Sequence, residues 1–220
     1  MHAQTETSTP PKSRAGSLHL LSGRLCLDFA NTTSGRGGPQ CLEHLHQYQH
    51  LLQWCRHTGL LSAAQASRLA RASSRRPAKA ARVLQQAKLL REAIYSIGVA
   101  IKSGRPPSAG LAALNGALAA AGGQRQIAAT DGRFSWRWRA GPEDLGWMLG
   151  PIALSAAELL VKLDRRRLKQ CAGLHCGWFF LDETRSRTRR WCDMRVCGSR
   201  AKTRRFRQRR RGRVGSAAKS

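Results

Sequence analysis

Four cysteines in the last third of the chain form two evenly spaced pairs. Four residues separate Cys171 from Cys176, four separate Cys192 from Cys197, and fifteen lie between the pairs. Two such pairs can surround one Zn2+ ion with four thiolates at about 2.3 Å, the geometry of a closed structural site. A region this small has too few apolar residues to fold unaided, so bound metal would supply what its core lacks. The spacing therefore predicts one structural zinc ion on these four ligands.

The other candidate ligands fit this site less well. His175 precedes one of the four cysteines directly, so its side chain should point away from a metal held by that neighbour, and we expect an exposed turn histidine. Cys26, Cys41 and Cys55 have no ligand spacing. We expect these three thiols to be buried as small apolar side chains.

Basic residues crowd the region around the second cysteine pair. The chain has 39 Lys and Arg against 12 Asp and Glu, a net charge of +27, and residues 162–213 hold 19 basic and 4 acidic residues. Past Thr203 no apolar stripe continues, so a helix there would be basic on all sides and would gain order by lying against phosphates. Arginine dominates, which suits bidentate contacts to phosphate or guanine. The predicted nucleic-acid contacts are Arg189, Arg190, Arg200, Lys202, Arg204, Arg205 and Arg207.

Duplex DNA is the partner that this pattern favours. Proteins that recognise single-stranded RNA offer exposed aromatic side chains for base stacking. Here Trp178, Phe179, Phe180 and Trp191 lie close to the cysteines, and we expect them to form the small core of the zinc module. Structured RNA or a ribosome is the alternative polyanion.

Hydrophobic periodicity predicts a helix-rich region before the cysteines. Leu25, Leu27 and Phe29 alternate with other residues, the pattern of a strand, and a glycine-rich turn follows. Asp131-Gly132 marks the turn of a hairpin with aromatic residues on one face. Helices are predicted at about residues 42–57, 63–72, 77–103, 108–121 and 143–163, the last with a kink at Pro151. The predicted fold class is α+β: a helix-rich N-terminal domain with a few antiparallel strands, and a small treble-clef-like four-cysteine zinc finger.

Composition divides the chain into four predicted parts. Residues 1–17 form a polar, disordered leader, 18–165 the α+β domain, 166–211 the zinc module with its basic helix, and 212–220 a disordered tail. The longest uncharged, apolar-leaning run of the later helical region is 13 residues, 145–157, and a membrane-spanning helix needs about 20. The N-terminus has no apolar core of a signal peptide. We therefore expect a cytoplasmic, nucleoid-associated protein with no membrane partner.

Two motifs resemble a known family. The segment CxxxxCGWFFLD from Cys171, followed by RRWCDMRVCGSRAK from Arg189, resembles the CGNR-type zinc finger of bacterial proteins. GRLCLDFANT, residues 23–32, is similar to the opening of the ABATE domain, which precedes that finger in proteins proposed to be stress-induced transcriptional regulators. The resemblance implies that the four cysteines are the zinc ligands and that the basic flank contacts DNA. Ser199 stands where the motif has Asn, which leaves the ligands intact and removes the amide.

The N-terminal domain offers one candidate site for a small-molecule effector. Asp28 and Asn31 precede a glycine-rich loop, and Arg24 could complete the site. The alternative that we favour is structural: Asp28 pairs with a local basic group and Asn31 makes turn hydrogen bonds.

The sequence gives no indication of an enzyme. It has no GxSxG, HExxH, Walker loop or dinucleotide fingerprint. His46 and His50 are four residues apart and could hold a metal, but an exposed polar helix face explains them better. The DNA target, the effector, the direction of regulation and the oligomeric state are left open.

Overall fold

The computed structural model describes residues 13–39, 41–139, 141 and 143–217. Seven α-helices lie in these ranges: α1 Leu25–Ala30, α2 Tyr48–His57, α3 Ala63–Arg75, α4 Pro77–Lys102, α5 Ser108–Ala121, α6 Leu149–Val161 and α7 Ser199–Ala217. Six short strands pair as three antiparallel hairpins: β1 Thr33–Ser34 with β2 Leu42–Glu43, β3 Arg125–Thr130 with β4 Arg133–Trp138, and β5 Leu168–Gln170 with β6 Phe179–Leu181. The helix-rich α+β class is confirmed.

Local sequence rules account for the helices in the middle of the chain. Ser62 caps α3 because its hydroxyl accepts from the backbone N–H of Gln65, whose side chain accepts in return from the Ser62 N–H. Pro77 occupies the first turn of α4, where its missing N–H costs nothing. Helices α3, α4 and α5 and the β3–β4 hairpin all confirm the predicted elements.

The predicted strand at residues 25–29 is wrong, because these residues form helix α1. Cys26 is buried as well as Leu27 and Phe29, so the segment is enclosed on more than one side. It lies among α4, α6 and β6. A six-residue helix enclosed in this way shows no single apolar stripe. The alternation of apolar residues in its sequence therefore wrongly indicated a strand.

Two predicted helices begin later than expected. Residues 42–43 form a strand, because the Glu43 carboxylate accepts from the N–H groups of His44 and Leu45 and turns the chain before α2 starts at Tyr48. Turns occupy the residues before Leu149, where α6 begins. Pro151 consequently lies in the first turn of α6, so the predicted kink within a longer helix is wrong.

One apolar core runs through the N-terminal region and into the cysteine region. Phe29 and Trp54 meet inside it with ring centroids 5.0 Å apart. Leu168, Phe179 and Leu181, from the hairpin that carries the first cysteine pair, belong to the same cluster of buried residues. A second, small cluster surrounds the four cysteines.

Some residues of the predicted leader and tail have described backbone structure. Residues 1–12 and 218–220 lie outside the described residues. Residues 15–17 form a 3-10 turn against α2 with Ala15 fully buried, so order begins before Leu18. The backbone is helical through Ala217, beyond the predicted start of the tail at 212.

Candidate metal centre and nucleic-acid interface

The four predicted ligands converge on one point. The sulfur atoms of Cys171, Cys176, Cys192 and Cys197 all lie within 4.8 Å of one another. The Sγ atoms of Cys176 and Cys192 are 3.7 Å apart, as are those of Cys192 and Cys197. A tetrahedron with Zn–S bonds of about 2.3 Å has edges of about 3.8 Å. The donor set therefore fits one structural zinc ion, which these thiolates can bind.

The first pair lies in the turn of the β5–β6 hairpin. Cys171 follows β5 and donates its N–H to the Trp178 carbonyl at 2.8 Å, while Cys176 donates its N–H to the Gly173 carbonyl at 3.0 Å. His175 is exposed with a φ of 63°, as predicted for a turn histidine. Strand β6 pairs with β5, so this hairpin encloses the first cysteine pair.

Backbone groups favour the ionised form of the first ligand. The N–H groups of Gly173 and Cys192 each lie 3.3 Å from the Cys171 sulfur. Hydrogen bonds from the Cys176 and Cys192 thiols, together with these N–H groups, lower the pKa of Cys171. A thiolate is the form that binds zinc, so these N–H groups favour the metal-binding form of Cys171.

The second pair leads directly into helix α7. A π-helical turn, Met194–Gly198, follows Asp193, whose side chain accepts from the Arg195 N–H at 2.6 Å. The Asp193 carbonyl accepts from the N–H groups of Cys197 and Gly198. The Ser199 hydroxyl donates to the Met194 carbonyl at 3.3 Å and joins the turn to α7. The zinc cluster thus fixes where the basic helix begins.

Helix α7 presents cations to solvent with no acidic residue to balance them. Ala201 is its one buried side chain among residues 199–209, and no Asp or Glu occurs from 194 to 217. Five of its basic side chains are exposed and the sixth, Arg204, is half-buried. None of the six forms an ion pair with any residue that the structure describes. The six are Arg200, Lys202, Arg204, Arg205, Arg207 and Arg209.

Comparison with known proteins identifies both halves of the chain. The model of the ABATE family, described as "Putative stress-induced transcription regulator", matches residues 23–162. The chain belongs to the ABATE family. The model of the CGNR zinc finger matches residues 167–210 and contains all four ligands. No curated protein matches the chain.

The two arginines before the second pair of the CGNR finger differ in their environment. Arg190 is exposed, 5.4 Å from the centroid of the Trp191 ring. Arg189 stacks 4.3 Å from the centroid of the Phe180 ring and donates to the carbonyls of Trp191, Cys192 and Leu21. These contacts hold the Arg189 guanidinium within the fold. The proposed DNA interface therefore does not include Arg189.

The three residues of the candidate effector site all take part in structural contacts. Asp28 accepts from the N–H groups of Leu21 and Ser22 at 3.0 and 3.1 Å, not from a basic group. Arg24 reaches Glu183 of the finger at 3.2 Å. Asn31 bonds both backbone groups of a finger residue, Phe179, rather than a turn of its own. An effector site on these residues stays a prediction.

Two residues with structural contacts, one in the finger and one on α4, were not among the predicted site residues. Asp182 is fully buried and its carboxylate accepts from the hydroxyl and N–H of Thr184 and from the N–H of Arg189. Burial opposes its ionisation, but these hydrogen bonds outweigh burial and lower the pKa of Asp182. An Asp followed two residues later by Thr is a recognisable turn pattern. Tyr95 of α4, whose hydroxyl donates to the Gly177 carbonyl at 3.2 Å, gave no such indication.

The remaining candidate ligands lie elsewhere. Cys26 and Cys55 are buried as predicted, but Cys41 is exposed in the loop before β2, which corrects the prediction for that thiol. His46 precedes α2, so it does not share a helix face with His50, and their rings meet edge to face at 5.7 Å. Among the described residues, the four-cysteine group is the one cluster suited to a metal.

The described helices can be compared with the requirements for a membrane-spanning helix. None of them combines the length and the apolar character that crossing a bilayer requires.

Proposed function

We propose that this chain is a zinc-dependent transcriptional regulator that binds duplex DNA through helix α7 of its CGNR finger. One observation carries the proposal: α7 begins directly at the zinc cluster, and six of its cations have no ion pair with any described residue. The zinc ion would act structurally, by fixing the direction in which α7 leaves the domain.

The distribution of charge on α7 supports a phosphate partner. Arg200, Arg204 and Arg207 follow one another at helical spacing on one side, and Lys202, Arg205 and Arg209 do so on another. Like charges at this spacing repel and destabilise a helix in isolation. Phosphates on both sides of a groove would relieve this repulsion, and an α-helix fits the DNA major groove.

The aromatic residues around the cysteines are not exposed for base stacking, in contrast to Phe206 of α7, which is 60% exposed. The position of these cysteine-proximal rings favours DNA over RNA. Phe179 and Phe180 are buried, and Trp178 and Trp191 are half-buried against the two cores. These rings are therefore poorly placed to stack on unpaired bases, the usual mode of single-stranded RNA recognition. Structured RNA recognised through its phosphates is the alternative.

We further propose that the ABATE domain senses a small ligand and that the chain acts by binding rather than by catalysis. The absence of catalytic motifs from the sequence supports the second point. Binding to DNA would place the protein at the nucleoid.

A salt titration of DNA binding tests the α7 proposal. Six phosphate contacts predict an affinity loss on the order of 10³-fold or more between about 50 and 200 mM salt. A Lys202→Gln/Arg205→Gln/Arg209→Gln variant should bind a fluorescent duplex at least tenfold more weakly. Its slope of log affinity against log salt should be shallower by about 2.7. Fluorescence anisotropy measures both quantities.

A charge-matched variant provides the control. Arg56, Arg71 and Arg82 are exposed on α2, α3 and α4, and their replacement by Gln removes the same net charge. This variant should keep the wild-type slope. Equal losses in both variants, or a structured RNA that displaces the duplex at fixed salt, would contradict the proposal.

A further inference from the structure

A polar cavity lies between α3 and the β3–β4 hairpin of the ABATE domain. Its volume is about 300 Å3, within the range of sites for small ligands. Arg68 and Leu69 contribute from α3, and Trp136, Arg137 and Trp138 from β4, with Trp147 completing the wall. Another cavity, near Cys26, is lined by apolar side chains and holds only about 20 Å3, room for a water molecule.

The indole rings around the cavity are held in place by the fold. The Trp136 ring stacks against the Arg125 guanidinium at 4.0 Å from the ring centroid. The Trp138 ring packs onto Gly150 of α6 so closely that a Cβ there would come within 2.5 Å of it. Trp147 packs against the main core. Trp136 is 57% exposed, so its ring is accessible to a ligand that enters the cavity.

The charged residues around the cavity favour an anionic ligand. None of the described residues that line the cavity is acidic. Arg68 is exposed and forms no ion pair with a described residue. The two nearest acidic residues that follow β4 in the sequence have partners outside the cavity. Glu143 pairs with Arg75 and Arg76, and Asp144 accepts from the Gln124 side chain and the Gly146 N–H.

We propose that this cavity binds a planar aromatic anion, with the ring against the indoles and the anionic group at Arg68. Aromatic rings alone would also suit a quaternary ammonium ion. The Arg68 guanidinium at the cavity repels such a cation and attracts a phosphate or carboxylate. The inference rests on the proposed function, because it gives the ligand class of the sensing domain.

Isothermal titration calorimetry with defined probes tests this site. Adenosine 5′-monophosphate and 1-naphthoate carry an aromatic ring and an anion, whereas adenosine lacks the anion and choline lacks both. At least one of the two anions should bind, and choline should not. Preference for the nucleotide indicates a phosphate ligand and preference for naphthoate a carboxylate. Arg68→Gln and Trp136→Leu should each weaken binding tenfold or more.

Matched variants separate this site from the basic helix. Arg71→Gln on the same helix and Phe134→Leu on the same strand alter exposed residues outside the cavity and should bind as wild type does. The α7 triple variant should keep the affinity for the anion, and Arg68→Gln should keep its affinity for DNA. No binding of either anion, or undiminished binding by Arg68→Gln, overturns the cavity proposal and leaves the DNA proposal standing.

Discussion

Asn31 connects the two family domains through a single side chain. Its amide nitrogen donates to the Phe179 carbonyl at 2.9 Å, and its amide oxygen accepts from the Phe179 N–H at 3.0 Å. Asn31 and Phe179 are both almost completely buried. No water is available there to replace either hydrogen bond, so both backbone groups of Phe179 depend on this amide.

Replacing Asn31 by Ala should lower the free energy of unfolding by about 2–4 kcal/mol, because two buried backbone groups lose their partners. Asn31→Asp keeps the acceptor for the N–H but turns an oxygen toward the Phe179 carbonyl, so it should not restore stability. Urea denaturation followed by circular dichroism measures these values. Asn115→Ala, an exposed position on α5, should change stability by at most about 0.5 kcal/mol. Similar losses at 31 and 115 would contradict the assigned role.

The residues that the sequence could and could not predict differ in how local their contacts are. The zinc ligands were predictable because metal geometry demands a narrow spacing within one short segment. Asn31 bonds a residue 148 positions away, and no pattern near Asn31 encodes that distance. The sequence therefore predicts only local turn hydrogen bonds for Asn31. The charge pattern and the family resemblance favour a DNA contact for Arg189, whereas its ring and carbonyl partners come from the folded loop and leave no local pattern.

Secondary structure was predictable where one face of an element meets the core. Helix α4 buries Val83, Leu90 and Ile97 on one stripe, and its bounds follow the predicted range closely. Helix α1 is short and buried on several sides, and β2 has two residues, so neither leaves a periodic pattern. Packing partners distant in sequence decide the structure of such short elements.

A charged network attaches the β1–β2 hairpin to α4. Arg91, almost fully buried, donates to both carboxylate oxygens of Glu43 on β2 at 2.6 and 2.7 Å. Burial opposes the ionisation of Glu43, but Arg91 and the Leu45 N–H outweigh it and lower its pKa from 4.5 to about 2. The folded state therefore binds the Glu43 proton more weakly than the unfolded chain does.

This pKa shift predicts a loss of stability in acid. Because the folded pKa is depressed, the contribution of Glu43 is complete above about pH 5 and is lost as pH falls through 4.5 toward 2. The stability difference between wild type and Glu43→Gln should shrink by about 1 kcal/mol between pH 7 and 4. Urea denaturation at both pH values measures it. Glu158→Gln, at an exposed position on α6, should show a constant difference. A constant difference for Glu43→Gln as well would refute the shift.

The core of the whole molecule crosses the boundary between the two family domains. The ABATE match ends at residue 162 and the finger match begins at 167, yet Phe179 and Leu181 of the finger lie in the main core. Phe179 meets Tyr95 of α4 with ring centroids 5.1 Å apart, and its ring lies against Gly98. The strand that zinc folds is thus also a wall of the ABATE domain.

Removing zinc should therefore destabilise the entire chain. Chelation or Cys192→Ser should lower the melting temperature by about 10 °C or more, with helical circular dichroism and tryptophan fluorescence changing in one transition. The physical reason is that an unfolded finger withdraws Phe179 and Leu181 from the core and exposes the apolar surface beneath them. Cys41→Ser removes an exposed thiol outside the metal cluster and should melt as wild type does. Two separate transitions, with the helices of the ABATE domain unaffected by chelation, would show that the finger folds as an independent module and that the shared core contributes little.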